Sequence, residues 1–137
     1  MKRFLALWLP VMVWMGVIFA GSSIGDVPQV GDETLDGLAH RAAHVLEFAV
    51  LGALLLRATS KGGPASKREI IRTLIVIGLY GASDEFHQRF TPGRSSDGST
   101  VLFDVAGGVI GVWAWRGWQR KKAGPSLRPI QKIFPDE

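Results

Sequence analysis

The apolar residues of this chain are collected into four long runs, and most of its charges stand between them. The runs cover 4–20, 38–56, about 69–88 and 101–115. A soluble domain mixes apolar and polar residues at the period of a helix or strand, whereas a membrane-spanning helix needs roughly 17–25 largely apolar residues. The segregation therefore predicts an all-α, four-helix transmembrane bundle.

The charges between the runs alternate in sign and indicate sidedness. The N-terminus, the segment 57–72 and the segment from Arg116 onward hold 13 of the 16 Lys and Arg residues, with only three acids. The remaining segments hold three Arg residues against nine acids. Because cytoplasmic segments are enriched in Lys and Arg, we expect both termini in the cytoplasm.

The chain divides into a membrane domain over 1–122, with helices about 4–20, 38–57, 68–88 and 99–118, and an irregular cytoplasmic tail over 123–137. The alternative for the first run is a cleaved signal peptide, since Lys2 and Arg3 precede it and small residues follow. Its 17 residues exceed the usual signal core of about 7–15. We therefore interpret it as a span.

Composition excludes two classes of function. There are no cysteines, so neither disulfides nor thiolate chemistry are available. A net charge of +4 permits nucleic-acid binding, but the basic residues stand beside the ends of apolar runs and no recognition motif is present. We expect membrane lipid, and no nucleic acid, as a partner; the sequence indicates neither a cofactor nor an oligomeric state.

Ionisable residues within apolar helices are the most informative anomaly. A charge at membrane depth costs at least ~2.5–3.5 kcal/mol and usually marks function. His40, His44 and Glu47 share one face of the second helix, whereas Asp84 shares a face of the third with His87 and Gln88. We therefore predict a polar pocket at the extracytoplasmic side of the bundle.

The pocket residues are assigned two roles. Acid–base chemistry requires imidazole or carboxyl groups within reach of the reacting atoms, and a guanidinium binds phosphate or carboxylate through two parallel hydrogen bonds. The candidate catalytic residues are His44, Glu47, Asp84, Glu85 and His87. The candidate substrate-binding residues are Arg41, Gln88, Arg94, Asp97 and Asp104.

Each of these residues also has a structural interpretation. His44 and Glu47 suit an interhelical hydrogen bond, and Asp104 suits an ion pair with Arg94 or Arg41. His and carboxylate groups suit Zn or Mn, but the spacing matches no recognised motif, so we assign no metal site. Ser22 is a weak candidate nucleophile because no adjacent base is identifiable.

Three stretches carry a family resemblance. The stretch 84–94, Asp-Glu-Phe-His-Gln-Arg-Phe-Thr-Pro-Gly-Arg, resembles the signature of the VanZ-like family, as do 104–111 and the second-helix stretch 41–51. The similarity extends over roughly 4–118. Family members often carry an acid at the position of Thr100, and Tyr or Phe at that of Glu47. The resemblance implies a bacterial inner-membrane protein of the cell envelope, associated through the family's namesake with resistance to the glycopeptide teicoplanin.

The sequence leaves the function open between two classes. One is an enzyme acting at the outer leaflet on a lipid-linked or anionic envelope substrate, such as a cell-wall precursor. The other is a non-catalytic protein that binds lipid or glycopeptide, or modulates the envelope. A transporter is a weaker third alternative, because four helices leave little room for alternating access and no inverted repeat is visible.

Overall fold

The computed structural model describes residues 1–25, 32–92 and 98–123. Within them the chain forms four α-helices and no strand: α1 Lys2–Ser22, α2 Glu33–Thr59, α3 Lys67–Gln88 and α4 Thr100–Ala123. The all-α prediction is confirmed. Each helix is longer than the one predicted from the sequence, and the predicted tail lies, except for Ala123, outside the described residues.

Capping side chains set two of the helix starts. Asp32 accepts a hydrogen bond from the backbone N–H of Leu35 at 2.9 Å, so α2 begins five residues before the apolar run. Ser66 and Glu69 form a reciprocal capping box at the start of α3. The loop expected over 21–37 is therefore shorter than its composition suggested, because capping decides where a helix starts, whereas hydropathy marks only its buried part.

Helices α2 and α4 pack against each other more extensively than any other two helices, because glycines on α4 let the two backbones approach closely. A Cβ at Gly107 would collide with the carbonyl of Val45, and one at Gly111 with the carbonyl of Ala49. Small residues four apart permit such close crossings in membrane helices. Helix α1 packs on α2 and α3 and, within the described residues, makes no contact with α4.

The chain alternates in direction, which gives the bundle two chemically different ends. The polar end contains the C-termini of α1 and α3 and the N-terminal parts of α2 and α4, which meet through the pairs Ser23–His87 and His44–Asp104. The basic end contains the opposite helix ends, where Arg3 donates to the carbonyl of Lys61 at 3.1 Å. A core that includes Phe48, Leu51 and Ile77 separates the two ends.

Two helices are long and apolar enough to cross a membrane. They are α1, with a mean hydropathy of 2.1, and the segment Thr34–Thr59 of α2, with 1.5. Helix α3 combines basic residues in its first turns with acids near its end, and α4 combines glycines and tryptophans with Asp104 and Arg116. All four helices nevertheless expose large apolar side chains, with Leu79 of α3 at 68% and Leu102 of α4 at 72%.

Candidate functional site

A buried histidine–carboxylate pair joins α2 to α4 at the polar end. His44 Nδ1 and Asp104 Oδ1 are 2.8 Å apart, and the two residues are only 4% and 1% exposed. Because an ionised carboxylate can only accept, Nδ1 carries the proton and Nε2 of a neutral ring is left as an acceptor. The pair therefore has the geometry of a base whose tautomer and orientation are fixed by an acid.

The His44–Asp104 pair requires a glycine at position 81 of α3, because a side chain there would collide with Asp104. A Cβ at Gly81 would lie 2.7 Å from Oδ2 of Asp104, well inside van der Waals contact. Gly107, on α4 one turn after Asp104, lies against the backbone of Val45, the neighbour of His44. The absence of two side chains thus allows the carboxyl group of Asp104 to lie between α2 and α3.

Three polar side chains of α3 are buried beside this region. Asp84, Glu85 and Gln88 are all at most 5% exposed. Gln88 donates through Nε2 to Oδ2 of Asp84 at 2.9 Å, and the backbone N–H of Gly98 donates to Oε1 of Glu85 at 3.0 Å. Glu85 therefore also faces inward, although it lies about 100° from Asp84 around the helix.

Two buried acceptor oxygens on α3 have no hydrogen-bond donor within the described residues. They are Oδ1 of Asp84 and Oε1 of Gln88. A buried polar atom without a partner costs roughly 1–3 kcal/mol, so this arrangement is unfavourable unless a donor binds there. The two oxygens can accept hydrogen bonds from a hydroxyl, an amine or a water molecule.

His87 turns away from this cluster and toward α1. Its Nε2 is 3.1 Å from Oγ of Ser23, and its ring stacks on Phe19 with centroids 4.4 Å apart. Ser23 also donates to the carbonyl of Phe19 at 2.7 Å. The sequence drew attention to Ser22, but Ser22 is buried and, within the described part of the chain, its hydroxyl bonds to the carbonyl of Phe19 in its own helix. The serine beside a histidine is therefore Ser23 and not Ser22, and because the Ser23 hydroxyl donates its proton to Phe19, Nε2 of His87 is the donor in this pair.

The other predicted residues take separate positions. Arg41 is exposed and holds its guanidinium 5.7 Å from the ring centroid of Phe103, so it is not the partner of Asp104 that the sequence suggested. Glu47 is half-buried, and its backbone carbonyl accepts from the indole of Trp14 at 2.8 Å. Arg94 and Asp97 lie outside the described residues.

Metal binding at the polar end finds no support in the described residues. Among them, no three His, Asp or Glu side chains are grouped so that they could hold a metal ion. The polar end combines the His44–Asp104 pair with the oxygens of Asp84 and Gln88. Its own side chains can exchange a proton and accept hydrogen bonds.

The comparisons with known proteins identify the family. The family model described as VanZ/LLP1 matches residues 7–119. The chain belongs to the VanZ/LLP1 family. The match includes every described residue of the polar end and confirms the resemblance noted from the signature stretches. Searches of curated proteins and of solved structures returned no match.

VanZ/LLP1 membership supports a coarse statement of function. It supports a protein of the cell envelope associated with resistance, and the two apolar helices suggest a membrane protein. Within this family, the present chain combines the signature stretch of α3 with the His44–Asp104 pair. The chemistry of the site has to be argued from its residues.

Proposed function

We propose that the protein is a multi-pass protein of the bacterial cytoplasmic membrane, with four spans and both termini in the cytoplasm. The exposed apolar side chains of α3 and α4 support the two additional spans. Ile71, Ile75 and Leu79 of α3 and Leu102 and Ile110 of α4 are each more than half exposed. An apolar surface of this extent is typical of a membrane or partner interface, whereas the two acids near the end of α3, Asp84 and Glu85, are buried within the bundle.

The charge of the two ends supports this orientation. Within the described residues, Glu69 is the only acid at the basic end, which carries eleven Lys and Arg residues. Lys and Arg are enriched on the cytoplasmic side. The basic end is therefore proposed to face the cytoplasm, and the polar end the outer leaflet.

We further propose an enzyme that acts on a lipid-linked or anionic envelope substrate at the outer leaflet. The observation that carries this proposal is the 2.8 Å hydrogen bond between His44 and Asp104. In this mechanism Nε2 of His44 accepts a proton from a hydroxyl of the substrate or from water, and Asp104 stabilises the imidazolium that forms. The unpaired oxygens of Asp84 and Gln88 accept hydrogen bonds from substrate hydroxyl or amide groups.

One observation favours the non-catalytic alternative, a protein that binds lipid or glycopeptide. His44 and Asp104 are 4% and 1% exposed, so a substrate reaches them only after the polar end opens. If the His44–Asp104 hydrogen bond only holds α2 against α4, the polar end does not have to open. The two functions differ in what they require of Asp104, because a base needs a carboxylate behind it and a structural hydrogen bond needs only an acceptor.

The substitution Asp104→Asn separates these alternatives. The amide keeps an acceptor oxygen for His44 but has no charge to stabilise an imidazolium, so an enzyme loses most of its turnover. We suggest expressing the wild type, Asp104→Asn, His44→Gln and the exposed control Ser83→Ala in a teicoplanin-sensitive host. The measurements are teicoplanin susceptibility, mass-spectrometric profiles of lipid-linked cell-wall precursors, and the amount of protein in the membrane.

The enzyme proposal predicts a precursor-derived product with the wild type and Ser83→Ala. The product should be absent with Asp104→Asn and His44→Gln at equal membrane levels. Resistance that persists in Asp104→Asn, with no new product in any strain, would refute catalysis and favour the binding function. Wild-type levels of product in His44→Gln would refute the role of this histidine.

A further inference from the structure

A groove opens at the basic end, away from the polar residues of the proposed function. It lies between the connection that precedes α3 and the last turns of α4, and has a volume of about 160 Å³. A single water molecule needs only roughly 10–15 Å³, so the groove has room for a polar group of several atoms. Its lining residues are Pro64, Ala65, Arg116, Gln119 and Arg120.

The walls of this groove are fixed to each other. Gln119 of α4 donates through Nε2 to the backbone carbonyls of Gly62 and Gly63. Lys61 and Gly62 adopt positive φ angles of 52° and 77°, which turn the chain sharply after α2. One wall of the groove is thus the turn after α2, which Gln119 holds in place by hydrogen bonds, and the other wall is α4.

Two guanidinium groups of the groove have no carboxylate partner within the described residues. Arg116 and Arg120 lie one turn apart on α4, and Arg116 stacks over the ring of Trp113 at 5.2 Å. The one described acid at this end, Glu69, bonds to Ser66 in the capping box. The groove therefore carries a double positive charge that the described side chains leave uncompensated.

A buried donor lies close to the groove along α4. The indole nitrogen of Trp115 is buried and has no hydrogen-bond acceptor within the described residues. Trp115 precedes Gln119 by four residues and therefore lies on the same side of α4, one turn nearer the centre of the bundle. Because an indole can only donate, this nitrogen requires an acceptor, as the two guanidinium groups do.

We propose that this groove binds the phosphodiester headgroup of an anionic phospholipid. The guanidinium fork matches phosphate oxygens and forms charge-assisted hydrogen bonds with them. Basic pockets between helices on the cytoplasmic side are suited to anionic headgroups. The buried indole nitrogen of Trp115, one turn from Gln119, can donate to a carbonyl of the same lipid. The assignment to the inner leaflet rests on the proposed topology, whereas the ligand chemistry does not depend on the reaction proposed at the polar end.

The test is a binding measurement on the purified full-length protein in mild detergent. Native mass spectrometry would count the lipids bound during titration with phosphatidylglycerol, with phosphatidylcholine, and with phosphatidylglycerol in the presence of inorganic phosphate. The variant Arg116→Gln/Arg120→Gln removes both guanidinium groups. The control Lys121→Gln/Lys122→Gln removes the same charge from the same helix at positions outside the groove.

We expect the wild type to bind phosphatidylglycerol in preference to phosphatidylcholine. The arginine variant should bind it at least about tenfold more weakly, as expected when a charge-assisted contact is lost, and the lysine control within about twofold of the wild type. Equal weakening in both variants would overturn the proposal in favour of a diffuse basic surface. Displacement of the lipid by an equal concentration of phosphate would overturn it in favour of a simple anion site.

A folding defect is excluded by a second variant. Arg120 is exposed and makes no hydrogen bond within the described residues, so Arg120→Gln alone should fold and still weaken phosphatidylglycerol binding. If this single variant unfolds at the wild-type temperature and binds with wild-type affinity, the proposed contact is refuted. Loss of resistance in strains with unchanged lipid binding would concern the proposed reaction and not this site.

Discussion

Substitution of Gly111 by alanine should separate α2 from α4 and destabilise the protein. A Cβ at this position would collide with the carbonyl oxygen of Ala49, and would lie 2.9 Å from the backbone nitrogen of Ala53. Both obstacles are backbone atoms of α2, so no side-chain rotation relieves them. The two helices have to move apart, which weakens the packing along their whole contact.

The magnitude follows from a comparison with Gly117 on the same helix. A Cβ at Gly117 meets nothing within 4 Å, so Gly117→Ala should gain up to about 1 kcal/mol from helix propensity. Overpacking at Gly111 costs about 1–3 kcal/mol, from which the same propensity gain is subtracted. The two variants should therefore differ by about 1–3 kcal/mol, which corresponds to roughly 4–12 °C in Tm at about 4 °C per kcal/mol.

The assay is thermal unfolding of both purified variants and the wild type in the same detergent, followed by circular dichroism at 222 nm. We expect Gly111→Ala to unfold below the wild type and Gly117→Ala at or above it. Equal Tm values for the two alanine variants would refute the inference that the α2–α4 distance is limited by glycine.

Two further predictions concern the site and a helix end. Gly81→Ala places a methyl group 2.7 Å from Oδ2 of Asp104, so it should abolish activity at normal membrane levels. In the control Gly78→Ala, the methyl group meets only a 3.9 Å contact with Val105, and activity should be retained. Equal resistance in both strains would contradict the packing argument. Ser66→Ala removes one half of the capping box and should lower the free energy of unfolding by about 1 kcal/mol. The measurement is thermal unfolding beside the exposed control Ser83→Ala. An unchanged stability would show that the cap contributes little.

Helix content was predictable because apolar runs of this length have few alternatives. Four runs separated by charges gave four helices, and the predicted third helix, 68–88, differs from Lys67–Gln88 by one residue. The start of α2 was predicted five residues too late, since hydropathy does not register the cap at Asp32. Boundaries set by a side-chain cap depend on local geometry that a count of apolar residues does not include.

The candidate site was only partly predictable. Helical spacing put His44 on an inward face, and composition made Asp104 conspicuous, but spacing within one helix does not identify a partner on another. Sequence reasoning therefore offered Arg94 or Arg41 as an ion-pair partner of Asp104 and did not consider His44, to which the structure joins it. Likewise, His87 shares a helix face with Asp84 yet bonds to Ser23, because α1 packs against that side of α3.

The four apolar runs, the opposite charges of their connections and the family signature are all readable from the order of the residues. They are enough to predict the helices and their sidedness, because placing charge in hydrocarbon is costly. The His44–Asp104 pair could be found only in the packed bundle, where glycines such as Gly81 and Gly107 let the helices approach closely enough for a carboxyl group on α4 to orient an imidazole on α2. The two residues of this pair are 60 positions apart in the chain, and a local sequence pattern carries no information on contacts over that separation.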